Sequence, residues 1–103
     1  MKILALEHEI PGTTADLFQQ YAKAEAHKVW ELHQADIIRE IYFRADKNEA
    51  VLILECASVN EAHEILTTLP FVQAGLISFE VIPLKAYPGF ARLFEKTGES
   101  NRE

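Results

Sequence analysis

A glutamate in the middle of an apolar helical stripe is the residue whose type and position most suggest chemistry. At roughly 100° per residue, Phe18, Tyr21, Ala22, Val29 and Leu32 fall within about 60° of one direction, with Glu25 at their centre. A carboxylate drawn out of water costs several kcal/mol unless it is paired, hydrogen-bonded or protonated. Two readings stand side by side. Lys28, three residues on, offers an ion pair at the helix edge, or the carboxylate snorkels to water beside a loop. Alternatively, Glu25 is a proton-transferring group with a raised pKa, facing a pocket between its helix and a sheet.

Other residues have the chemistry to hold a substrate. Arg44 supplies a fixed fork of donors and Tyr42 a hydroxyl, types that orient an anionic or carbonyl-bearing ligand. Lys28 can steady a carboxylate, and His8 can serve as acid, base or ligand. The competing reading makes Tyr42 and Arg44 edge-strand surface residues and His8 a solvent-facing strand end. No metal site is expected: His63-Glu64 lacks a second histidine at zincin spacing, and His27 and His33 do not share a helix face. The four glycines are isolated, so there is no phosphate-cradling loop.

The elements that must position these groups follow from periodicity. Residues 2–8 alternate, with Leu4, Leu6 and His8 on one side and Ile3, Ala5 and Glu7 on the other, as a strand does. Pro11-Gly12 breaks it, and Thr13 with Asp16 starts a helix expected over residues 14–34. Residues 37–44 and 49–56 read as a hairpin. Ser58-Val59-Asn60-Glu61 is a capping box for a second helix, which Pro70 is expected to end. Residues 77–84 form a fourth strand, and 89–95 add one short helix.

The order βαββαβ is the split βαβ arrangement of an α+β, ferredoxin-like sandwich, in which both helices cover one face of an antiparallel sheet. We expect one domain over residues 1–95 and a frayed tail over 96–103. Strands two and three are apolar on both sides, so the uncovered face predicts a homodimer through the sheet. Lys23, His27, Trp30 and Gln34 share the helix side opposite the stripe. Trp30 there marks either a partner surface or a ring lying under its own chain's tail.

Composition bounds the rest. The 103 residues, 49% hydrophobic and 25% charged, match an ordinary globular domain, and no stretch reaches the roughly 18 apolar residues of a membrane span. A formal charge of −6, with Lys23, Lys28, Arg39, Arg44 and Lys47 each interleaved with acids, argues against nucleic acid. Cys56 is the single cysteine, which fits a reducing compartment and points to the cytoplasm.

Leu69-Pro70-Phe71, followed by Phe79-Glu80-Val81-Ile82-Pro83-Leu84 and the Tyr87-Pro88 tail, resembles the muconolactone Δ-isomerase family. The likeness extends to the Glu25 helix, to Glu31-Leu32 and to Arg39 with Tyr42. The resemblance implies a dimeric α/β barrel, assembled in many members into larger rings, and a cofactor-free isomerisation that moves a proton across an unsaturated lactone. Glu25 would then be the shuttle. Three features depart from the family: Ala35-Asp36 replaces a helix-to-strand glycine, Tyr87 replaces a histidine, and the chain continues through Phe90-Ala91-Arg92-Leu93-Phe94.

The leading expectation is therefore a proton-shifting isomerase acting on a small unsaturated lactone or related carbonyl compound, with no cofactor and with Tyr42, Arg44 or Lys28 steadying the enolate. The alternatives are a cofactor-free monooxygenase of the same superfamily and a non-catalytic binding or assembly module. Fold alone does not separate them.

Overall fold

The computed structural model describes residues 1–95; the expected frayed tail lies outside them. Four strands, β1 (Lys2–Glu9), β2 (Ile38–Phe43), β3 (Ala50–Glu55) and β4 (Ile77–Pro83), form one antiparallel sheet in the order β2-β3-β1-β4. Since β3 runs antiparallel to both β1 and β2, those two strands run parallel, and helix α1 (Ala15–Gln34) makes the crossover between them. Helices α2 (Val59–Leu66) and α3 (Pro70–Gln73) make the matching crossover from β3 to β4. This is the ferredoxin-like sandwich expected from the element order.

Local chemistry explains the boundaries. The α1 N-cap is Thr14, whose Oγ1 accepts from Leu17 N–H at 3.3 Å; Thr13, one residue earlier, instead donates to Glu9 Oε2. Ser58 caps α2 by accepting from Glu61 N–H, and Glu61 Oε1 reaches back to accept from Ala57 N–H at 2.8 Å. Helix α2 ends at Leu66, before Pro70, and the proline instead opens α3. A proline is well suited to a first helical position, where its missing N–H would have had no partner.

The core lies between sheet and helices. Ile3, Ala5, Leu52 and Leu54 of the central strands pack against Leu32, Ala62, Leu66 and Leu69. Within α1 only Leu32 is fully buried. Val29 packs partly buried against the same core, while Phe18, Ala22 and Glu25 of the stripe border a cavity over which the N-terminal half of α1 stands. On the other side of the sheet, Leu4, Leu6, Val51, Ile53 and Ile82 form an apolar surface that no helix among the described residues covers. No helix among the described residues is long and apolar enough to cross a membrane.

Candidate active site

A cavity of about 640 Å³ opens between α1, α3 and the sheet, a volume in the range of small-molecule sites and far above the voids of a packed interior. The wall from α1 includes Phe18, Gln19, Ala22, Glu25 and Val29; the sheet contributes Glu7, Ile41, Phe43, Leu52 and Phe79; Phe71 closes one side. The stripe centred on Glu25 is thus a cavity wall.

Glu25 is held at the start of α3. Its Oε1 accepts the Phe71 backbone N–H at 2.9 Å, the first donor that α3 offers, since Pro70 has none. Phe71 also packs edge-to-face on Phe18, with ring centroids 5.1 Å apart, so α3 and the N-terminal half of α1 lock together around the carboxylate. The Leu-Pro-Phe segment positions Glu25. Burial pushes the Glu25 pKa above its ordinary value, and the Phe71 N–H, which favours the ionised form, opposes part of that rise.

The ion pair that the spacing of Glu25 and Lys28 offers does not form. Lys28 turns toward solvent and lies 3.6 Å from Glu31 Oε1 instead. Glu25 is engaged instead by a backbone donor, which needs no long side chain to be ordered.

Tyr42, Arg44 and His8 do not line this cavity in the chain. Tyr42 falls between Ile41 and Phe43, which do, and so projects from the opposite face, where its hydroxyl donates to Glu40 at 2.8 Å. Arg44 is held in a two-pronged pair with Asp46, at 2.8 and 2.6 Å. His8 shares the uncovered face with Leu4 and Leu6 and lies 3.5 Å from Glu80. Trp30 is 56% exposed and not beneath described parts of its own chain.

Four further polar residues line the cavity: Glu7, Glu9, Gln19 and Asn48, none of them assigned to the site from the sequence. Glu7 was legible in principle: its place beside Ile3 and Ala5 in the alternation puts it on the helix-facing side. It is half-buried, and its Oε1 accepts from Ala50 N–H at 3.3 Å. Burial raises its pKa, the Ala50 bond opposes that, and the charges of Glu49, Glu25 and Glu9 add to the rise. Gln19 and Asn48 place amide groups, able to donate as well as accept, at the same cavity.

A model of the muconolactone delta-isomerase family matches residues 5–89. The chain belongs to that family. The match takes in Glu25, the Leu-Pro-Phe segment that grips it and both crossovers of a muconolactone delta-isomerase fold. No curated protein sequence matches the chain. Among solved structures, 5-chloro-2-hydroxyhydroquinone dehydrochlorinase from Burkholderia phenoliruptrix AC1100, determined as a complex with 2,5-dihydroxybenzoquinone, is similar with a TM-score of 0.67. The two are 21% identical over 86% of this chain and 98% of that one, a likeness of fold.

Proposed function

We propose that the protein is a cofactor-independent isomerase that moves a proton within a small unsaturated ring carbonyl compound, with Glu25 as the proton carrier. The observation that carries this reading is a half-buried carboxylate of raised pKa, fixed by a backbone donor, in the wall of a ligand-sized cavity. Ionised Glu25 removes a proton from one end of the unsaturated system, the γ-carbon in a butenolide whose double bond is conjugated with the carbonyl, and the C–H electron pair moves toward the carbonyl as a dienolate. The protonated carboxyl then returns that proton to the far end of the system. No atom is gained or lost, so one group suffices as base and acid. Gln19 and Asn48 line the same cavity, and in this reading their amides are the donors that stabilise the dienolate oxygen.

The working unit in this reading is a homodimer joined through the uncovered sheet face, in the cytoplasm, where the buried thiol of Cys56 stays reduced. Ultraviolet absorbance of unsaturated butenolides, muconolactone and its uncharged methyl ester among them, follows the double-bond shift directly, since the bond moves into or out of conjugation with the lactone carbonyl. Glu25→Gln keeps an oxygen for the Phe71 N–H but loses the proton carrier. It is expected to slow turnover on the order of 10²- to 10⁴-fold. Equal rates in the two proteins would overturn the assignment.

A further inference from the structure

We propose that the cavity beside Glu25 takes an uncharged, hydroxyl-bearing ring and turns away the same ring carrying a carboxylate, with Glu7 as the residue that makes the distinction. The inference rests on the reading of this cavity as the substrate site. Three carboxylates line it: Glu25 from α1, and Glu7 and Glu9 from β1. Glu7 and Glu9 stand two residues apart on a strand and so project from the same, helix-facing side. The described lining contains no lysine or arginine. Nearby basic side chains are paired elsewhere: Lys28 with Glu31, Arg44 with Asp46 and Lys47 with Glu49.

That arrangement dictates what a ligand must bring. An ionised carboxylate only accepts hydrogen bonds, so a partner for Glu7 or Glu25 has to supply donors, and ring hydroxyls do so without charge. Glu7 Oε1 is engaged by Ala50 N–H, which leaves Oε2 to accept from a ligand. Most of the remaining wall is aromatic or aliphatic, through Phe18, Phe71, Phe79 and Leu52, and suits the face of a flat ring. A ring carboxylate would bring a further negative charge into a space partly shielded from water. The existing carboxylates already disfavour one another there, since the charges of Glu49, Glu25 and Glu9 add to the effect of burial in raising the Glu7 pKa. A ring ammonium would answer the charge, but it would carry a strongly hydrated head into a mainly apolar wall.

Three catechol rings that differ in one substituent test this by calorimetry on the full chain, as isolated, at neutral pH: catechol, 3,4-dihydroxybenzoate and dopamine. Catechol is expected to bind at least about tenfold more tightly than the benzoate. Glu7→Gln is expected to bring that gap within about threefold, whereas Glu9→Gln, at the exposed mouth, leaves most of it. The inference is overturned if none of the three binds, or if wild type holds the benzoate or dopamine as tightly as catechol, a comparison that needs no variant. It is overturned equally if the gap survives Glu7→Gln or closes in Glu9→Gln. If the preference reverses while Glu25-dependent isomerisation persists, only this inference fails. If the preference holds while Glu25→Gln remains fully active, only the proposed reaction fails.

Discussion

Glu25 and Glu7 face one cavity from different elements, and both have pKa values raised first by burial. For an acid, a raised folded-state value means that the folded chain keeps its proton after the unfolded chain has lost it. Stability on account of these groups is therefore fully present below the ordinary glutamate value of 4.5 and falls as pH rises through the raised values. Thermal unfolding across pH should show Glu7→Gln gaining on wild type above pH 4.5, by less than about 1 kcal/mol given the screening of a half-exposed group. Below that pH the two should converge. Catalysis runs the other way. A base must be ionised, so the rate of the proposed isomerisation should fall as pH drops through the raised Glu25 value, and a profile governed only by a group near 4.5 would contradict the geometry. Helix periodicity alone singled out Glu25, yet its partner was not legible: Phe71 lies 46 residues away, and the donor is a backbone amide with no residue-type signature.

The turn from α1 to β2 shows how an element boundary can depart in sequence and be kept in structure. Asp36, near the place where the family resemblance leads one to expect a glycine, has φ of +63°, the left-handed region that glycine enters without cost and that Asp and Asn enter most readily among the rest. The Arg39 Nε donates to the Asp36 carbonyl, and the His33 ring nitrogen Nδ1 bonds the Ile38 carbonyl at 2.9 Å, so the turn is tied on both sides. In urea titrations Asp36→Gly should stabilise by about 0.5–1 kcal/mol, while Asp36→Val should destabilise by about 1–2 kcal/mol or more. A tenfold weaker contrast would show the backbone to be relaxed there. The capping box of α2 was readable because both partners lie within four residues, and Ser58→Ala should cost about 1 kcal/mol in the same titration. Pro70, whose sequence position suggests a terminator of α2, is the first residue of α3. Both roles suit a residue without N–H, and only the chain's path decides between them.

At the scale of the whole molecule, helices cover one face of the sheet and leave Leu4, Leu6, Val51, Ile53 and Ile82 on the other. A stable protein interface needs about 800 Å² from each partner, and a four-stranded sheet face offers an area of that order. Sedimentation should therefore find the wild type dimeric at micromolar concentration, and Ile53→Lys, central in this face, should shift it toward monomer. A monomeric wild type would remove the dimer from the proposed function without touching the cavity. Tyr42 and His8 also lie on this face, so their surroundings are those a partner would change.

Sequence by itself determined the α+β sandwich, the identity of Glu25 as the carboxylate of the apolar stripe and the apolar character of both faces of β3. Each of these depends on residues close together in the chain, where helical and strand periods apply directly. The expectation that β2 is apolar on both sides fails, because its register irregularity turns Ile38, Ile41 and Phe43 all toward the helices and leaves Glu40 and Tyr42 on the other face. Tertiary structure alone decided that the stripe of α1 borders a cavity and that Lys28 belongs to Glu31. It also decided that Glu7 joins Glu25 while Tyr42 and Arg44 stand outside. Those outcomes depend on how far α1 and α3 stand off the sheet and on which way an edge strand's alternation falls after the irregular register between Ile38 and Glu40. A shift of one residue exchanges the two faces of a strand, and no local pattern around Tyr42 records that shift.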